Sequence, residues 1–475
     1  MVLCVAVLSA APLRFARTGE TEGTVDVQLR ASDPWQPALR NTPLPQGARL
    51  RTEDGRLEME LDDGSVLRLT GSALAEISDY IALSTGQHVT VLSLDHGTAY
   101  FTGRPHTGDT LSVALPGAQV TMRNRARARF EIGTSWTEIA VLEGRVRFAT
   151  PSAELELHEG QLARVPQGSS ARFQLLREIP ESANDDWSRK RDLAQEASLS
   201  AQHLPGIHFG AADLDLAGSW LQTDDAGLVW KPKVLEGWAP FQTGKWRWYD
   251  EIGYTWIAAE EWGWAPYHFG RWLQHSALGW VWTPGASAVF KPGEVYWMRA
   301  ANLALWGALA PDELWTGQGP ARQFAALNTS VAHFETGQRQ IDPAIAVTKP
   351  KDLLTAAQFT VALPSPPLAA ARLEISNPPL SSASGALLSF SSAPEVQVRG
   401  ASFEPMPVTR PPAPVAPPPP RPTQTVIVDR PVYVEVPEPV EIFYPVPVYT
   451  GVLVMNPVIG DGRAPKKRPP DPSAH

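Results

Sequence analysis

Gly244-Lys245-Trp246-Arg247-Trp248-Tyr249-Asp250-Glu251-Ile252-Gly253-Tyr254-Thr255-Trp256 sets the reading of the chain, because its fixed points recur on either side. Gly218-Ser219-Trp220, Gly244-Lys245-Trp246 and Gly270-Arg271-Trp272 stand 26 residues apart. The same interval links Gly227, Gly253 and Gly279, and again Trp230, Trp256 and Trp282, while Trp238-Ala239-Pro240 matches Trp264-Ala265-Pro266 and Pro292 keeps the proline place in the third copy. Four columns in one register define an internal repeat. In the middle copy, residues 245–249 and 254–258 read as strands around a loop at 250–253, and 261–266 as a proline-containing crossover. One hairpin has no stable core in water, so the copies must stack or share a sheet. Tyr296-Trp297-Met298 and Leu305-Trp306-Gly307 read as a degenerate unit that closes the array.

Ahead of the repeats the text is also strand-like. Asp54-Gly55, Asp63-Gly64, His96-Gly97, Glu143-Gly144 and Glu159-Gly160 each precede a short alternating run, and in the first of these Leu57, Met59 and Leu61 share one face. Glycine at a tight turn followed by a period of two predicts a strand with one buried side. Five such starts in succession give an all-β domain over 20–170, either a sandwich or a stack of solenoid-like coils. A connector at 171–210 holds a helix from about Trp187, with Asn184-Asp185-Asp186 as caps and with Leu193 and Ala197 as the expected docking side. The repeats fill 211–325. From 326 to 403 periodicity is lost, and 404–475 is a proline-rich tail expected to be extended and mostly disordered; within it Val426 to Val436 alternates, and Pro431 and Pro437 limit that run to an edge strand.

Composition narrows the function. The 475 residues carry a net charge of −9 and no basic domain, which argues against a nucleic-acid partner. A single cysteine, Cys4, excludes an intramolecular disulfide and a cysteine-built zinc site. Val2 to Leu13 has the length of a signal-peptide apolar region, so residues 1–16 are expected to direct export, with a buried N-terminal strand as the other reading. No later stretch is long and apolar enough for a transmembrane helix.

Catalytic patterns are missing from the text. The ten histidines are spread singly, and no nucleophile elbow, phosphate loop or dinucleotide fingerprint occurs. Glu260-Glu261 with Asp250 is a carboxylate set of the kind that serves acid/base work on a sugar, though a solvated turn explains it as well. His203 and His208, five apart, do not make a metal pair. Neither a metal nor a cofactor is expected, and the chain is expected not to be an enzyme. Indoles bury large areas and pack edge to face, so the Trp columns read either as core or as an exposed ladder that holds a ligand. The candidate binding residues are Trp246, Trp248, Trp264, Tyr267 and Trp272, with Trp246 and Trp272 facing in and Trp248 and Trp264 facing out if both roles hold.

Gly23-Thr24-Val25, Trp35, the Gly47/Leu50/Arg51/Thr52 element, Leu61-Asp62-Asp63-Gly64-Ser65, Val141 to Val146, and Leu157 with Gly160-Gln161 together resemble the FecR domain, an extracytoplasmic module, over Gly23 to Val165. Between Asn124 and Phe130 the usual Gly-Thr-x-Phe element keeps only Phe130. The resemblance implies a β-helix-like, all-β fold outside the cytoplasm. Regulators of that family also carry a cytoplasmic anti-sigma segment and a membrane helix, which are not seen here, so signalling to a sigma factor does not carry over. The string from Gly263 to Trp272 is similar to an uncharacterised Trp-rich region that follows such domains in bacterial envelope proteins. Together these readings predict a periplasmic or envelope-associated protein that binds another envelope protein as a scaffold or sensing module, or alternatively binds cell-wall glycan through a Trp ladder.

Overall fold

The computed structural model describes residues 13–168, 173–300, 303–311 and 313, and beyond these only short strand segments between 328 and 434. One long hairpin, Val66–Ala82 with His88–Gly103, organises the first domain. Its ladder runs from Val66↔Thr102 to Ala82↔His88 and breaks register between Thr70 and Leu74. Gly71 and Gly97 sit at that break with φ of 64° and 89°, and a Cβ on Gly97 would lie 2.1 Å from the Ser72 carbonyl. His96-Gly97 is therefore a bend inside one long strand, not the turn ahead of a new one. The bend sends the two ends of the hairpin into opposite layers.

In one layer, Val25–Gln28 and Arg49–Thr52 precede the tip half of the hairpin, and Thr110–Leu115, Ala118–Met122, Arg145–Thr150 and Ala153–His158 follow it. In the other, Ala16–Glu22 and Arg56–Glu60 precede the base half, and Ala126–Ile132, Trp136–Glu143, Leu162–Pro166 and Gln174–Leu176 follow it. Among the described residues of the domain, every pairing is antiparallel except Val89↔Thr110 onward. Of the two architectures open to the sequence, this is the sandwich: parallel coils would stack through parallel ladders. The core lies between the layers, with Val120 and Phe148 of one and Phe130 and Ile139 of the other in a single buried cluster, and Phe148 packs edge-on to Phe173 at 5.2 Å. Leu57, Met59 and Leu61 are buried as the alternation predicts. Arg14, Phe15 and Ala16, at the end of the apolar N-terminal stretch, are buried in the domain too.

Helix α1 (Asp185–Glu196) lies across the outer face of the second layer. It docks by Ser188 and Asp192, which are buried, whereas Leu193 is 55% exposed. The expected Leu193/Ala197 side is thus the wrong one, because the sheet face below is charged.

The repeats form four antiparallel hairpins: Gly218–Thr223 with Gly227–Pro232, Gly244–Tyr249 with Gly253–Ala258, Arg271–His275 with Gly279–Thr283, and Val295–Ala300 with Leu303–Ala308. Each places one Trp directly across from another: Trp220↔Trp230, Trp246↔Trp256, Trp272↔Trp282 and Trp297↔Trp306. The first and third hairpins join edge to edge at Trp230↔Trp282. The second and fourth meet through their indoles, with Trp246 4.7 Å from Trp297 between ring centroids. The leading glycine makes room for an indole in the first two Gly-x-Trp units, where a Cβ on Gly218 or Gly244 would lie 2.3 or 2.6 Å from the indole of Trp230 or Trp256, and for backbone in the third, where a Cβ on Gly270 would lie 2.2 Å from the Thr283 carbonyl. The crossover holds a one-turn helix rather than a bare turn, α2 (Trp264–His268).

Past the repeats, Asn328–Val331 and Phe359–Val361 add strands to the fourth hairpin's sheet, and Gln340–Ile341 pairs with the second. Backbone pairing of this kind requires no hydrophobic period, so a stretch read as low complexity still supplies edges. Val426–Ile427 pairs with Tyr433–Val434. Leu363–Pro364 pairs with Phe390–Ser391; the remainder of 326–403 and of the proline-rich tail, with the expected export segment up to Pro12, lies outside the described residues.

Candidate functional site

The five aromatic residues singled out by the repeat are mostly interior. Trp246, Trp264, Tyr267 and Trp272 are no more than 1% exposed, and Trp248 is half-buried. Trp264, expected to face out, packs against Phe209, His268 and Phe290 at 5.1, 4.8 and 5.4 Å between ring centroids. Trp248 lies edge-on to Tyr254 and donates its Nε1–H to Asp250 at 2.7 Å. Neighbouring rings meet mainly at steep angles, as Trp246 on Trp256 at 62° and Trp238 on Trp272 at 62°. That is edge-to-face packing of a core, and the columns do not line up as coplanar exposed faces.

The carboxylates divide in the same way. Glu261 is exposed, as a solvated turn requires. Glu260 is not: its Oε1 accepts from Trp238 Nε1 at 3.1 Å and from the Tyr267 hydroxyl at 3.2 Å, and burial holds its pKa above the usual carboxylate range. Asp250 is paired with Arg30 of the sandwich. Each of the three therefore has a place in the fold or in solvent, and they do not converge on one point.

Charges fasten the repeats to the sandwich. Arg17, 1% exposed, bridges Glu60 at 2.5 Å and Asp213 at 2.7 Å. Arg40 adds a second cation on Asp213 at 2.6 Å. The Gly210 N–H donates to Glu60 at 2.8 Å, the Asn41 amide to the Glu260 carbonyl at 2.8 Å, and the Tyr249 hydroxyl to the Pro43 carbonyl at 2.8 Å. Phe15 packs against both Tyr249 and Phe290. The outer face of the second layer is thus an internal surface.

Solvent sees something else at the start of the repeats. Leu199, Leu216 and Leu235 are 67%, 88% and 88% exposed, and Val234 38%. Two hydrogen bonds bring the chain segments that carry them side by side: Leu199 N–H to the Asp215 carboxylate at 3.2 Å, next to Leu216, and Lys233 N–H to the Ala217 carbonyl at 2.8 Å. Sequence reasoning missed these residues, because Leu199, Val234 and Leu235 lie outside any period and Leu216 sits in a helix of only five residues, Asp213–Ala217.

Residues 48–147 match the family model described as FecR protein. The chain carries a FecR domain. Residues 211–313, the repeat region, match a family of unknown function, DUF6600. Among solved structures, two of a "putative anti-sigma factor" from Parabacteroides distasonis ATCC 8503 are similar at 15% and 16% identity, each over 30% of this chain, with TM-scores of 0.25. The matches span 62% and 64% of that protein, so the chain covers less than two thirds of its length. No curated protein matches the chain.

The FecR motif residues are structural in this chain. Asp62 takes a two-pronged ion pair from Arg14 at 2.8 and 2.6 Å and a hydrogen bond from the Tyr80 hydroxyl at 2.8 Å. Asp63 accepts the Ser65 N–H at 2.8 Å and closes the Gly64 turn. Burial pushes the Asp63 carboxyl up from 3.8 to about 6, against the pull of that hydrogen bond. A carboxyl raised on folding binds more protons in the native state, so it favours folding at low pH and loses that contribution as pH rises from about 4 to 6. Asp63→Asn keeps the acceptor and removes the charge. It is expected to stabilise the chain at pH 7 by about 1–3 kcal/mol and to leave stability at pH 3.5 unchanged, measured by urea unfolding at both values.

Proposed function

We propose that the chain is a non-catalytic, exported envelope protein that holds another envelope protein, acting as a scaffold or sensing module. The observation that supports this reading is the set of exposed apolar side chains at the start of the repeats, Leu199, Leu216, Val234 and Leu235. Exposed apolar clusters rimmed by polar residues are contact sites for proteins, and Asp215, Lys233 and Glu236 rim this one. The FecR domain supports placement in the envelope. Among the described residues no helix is long and apolar enough to cross a membrane. The candidate acids Asp250 and Glu260 are tied to Arg30, Trp238 and Tyr267, which supports a binding role over acid/base catalysis. Burial of the Trp columns favours a protein partner over a glycan.

The test is recovery of the tagged full chain from an envelope fraction. A stoichiometric partner is expected with the wild type and with Trp248→Ala, and not with the double variant Leu216→Asp/Leu235→Asp. Sedimentation with purified cell wall that Trp248→Ala abolishes, with no protein partner recovered, would replace this reading by glycan binding.

A further inference from the structure

We infer that His88, His106 and Asp109 form a binding site for a divalent transition-metal ion of the zinc class. The three lie far apart from any sequence motif for a metal, and the fold brings them together at the one parallel pairing of the sandwich. Because Val89 lies opposite Thr110 in parallel, the residues just before them, His88 and Asp109, sit side by side at the same end of the sheet. The short loop that returns the chain to Thr110 carries His106, whose carbonyl accepts the Asp109 N–H at 3.0 Å. One donor atom from each of the three residues falls within 4.8 Å of the others.

The distances separate a ligand set from a plain polar cluster. Asp109 Oδ2 is 3.5 Å from His88 Nδ1 and 3.5 Å from His106 Nδ1. That is too long for a good hydrogen bond, which for nitrogen and oxygen is about 2.7–3.2 Å. It matches the edge of a coordination tetrahedron: donors 2.0–2.1 Å from a zinc ion stand about 3.4 Å from each other. The second observation is that His88 Nδ1 is buried and without a hydrogen-bond partner, which an imidazole nitrogen tolerates when it has a metal to ligate. A third is the fixing of the carboxylate. The Asp109 side chain is 7% exposed, and its Oδ1 accepts the His88 N–H at 2.8 Å, so Oδ2 is aimed between the two rings as outer contacts aim a ligand. His208 from the connector packs on His106 at 5.6 Å between ring centroids, so the site lies where the connector crosses the sandwich. Two imidazoles and one carboxylate suit zinc, nickel or copper and do not suit magnesium or calcium, which take oxygen ligands.

The probe is zinc ion alone, titrated calorimetrically into the full chain. One equivalent is expected to bind, and a large excess of magnesium is expected not to displace it. His106→Ala changes an exposed side chain and should fold normally by circular dichroism, yet weaken zinc at least about 10–100-fold. Asp109→Asn is expected to do the same. His158→Ala, an exposed histidine elsewhere on the sandwich, is expected to bind as the wild type does. Absence of saturable zinc binding, or binding that His106→Ala and Asp109→Asn leave unchanged, overturns the assignment.

Discussion

Asp192→Ala is expected to destabilise the chain by about 3–5 kcal/mol, the cost of leaving buried charge without its partner. Asp192 is the buried one of three acids, with Asp185 and Glu196, by which α1 is fixed to the FecR domain. One of its oxygens takes Arg68 at 2.8 Å and the other Arg127 at 2.8 Å, and the Thr102 hydroxyl adds a hydrogen bond at 3.0 Å. Arg68 and Glu58, paired at 2.7 Å, are fully buried. Removal of the Asp192 carboxylate takes its ion pair from Arg127 and leaves Arg68 to share Glu58 with Arg191. On the far layer, Arg147→Ala breaks an ion pair with Glu154 that is about one-third exposed and is expected to cost under about 1 kcal/mol. Urea unfolding of both variants measures the contrast, and similar effects would show that α1 is not held by this network.

The same network sets an acid limit. Burial alone would raise Glu58, but Arg68 and Arg191 outweigh it and hold the carboxyl at about 2, below its ordinary 4.5. A carboxyl lowered on folding contributes stability above its unfolded value, and that contribution is lost as pH falls from about 4.5 toward 2. Asp63 acts in the opposite direction between about 4 and 6, so its asparagine variant should bring the Glu58 loss into clearer view.

The hairpins were readable because a glycine at positive φ and an indole over its neighbour leave few alternatives in either column, and Gly227, Gly253 and Gly279 have φ of 68°, 82° and 72°. The inner faces of the sandwich were readable for the simpler reason that burial follows period two. What escaped is the outer face of its second layer. Glu58, Arg68 and Arg129 occupy alternate positions that an isolated domain would give to water, and here they lie under α1 and the repeats. A signal was present: Arg125, Arg127 and Arg129 share one side of a strand, and Asp185, Asp192 and Glu196, at spacings of seven and four, share one side of a helix. Arg129 meets Asp185 at 2.8 Å and Arg125 meets Glu196 at 2.5 Å. Complementary charge at matching periods was the clue, and apolar periodicity in α1 pointed the other way. The His88, His106 and Asp109 cluster had no such signal, since only a parallel ladder between strands 21 residues apart makes neighbours of them.

Trp256→Ala is expected to cost about 3–5 kcal/mol and to loosen the second and fourth hairpins together. Trp256 is fully buried and touches Phe241, Trp246, Tyr267 and Trp306 at ring-centroid distances of 5.7, 5.1, 6.2 and 6.3 Å. Its loss opens a cavity of indole size against Gly244, which has no side chain to move into it. Trp248→Ala, on a half-buried ring at the margin of that core beside Tyr254, is expected to cost less than half as much. The two substitutions decide what the columns are for. A surface ladder would give a small stability change at every column and a large change in ligand binding, whereas a core gives the reverse. Because Trp246 and Trp256 are in contact, Trp246→Ala/Trp256→Ala should depart from the sum of the single variants by about 0.5–3 kcal/mol. Guanidinium unfolding followed by far-ultraviolet circular dichroism reads all four proteins without relying on the indoles removed. Additive effects, or Trp248 outranking Trp256, would mean that the repeat preserves indoles for a ligand and not for each other.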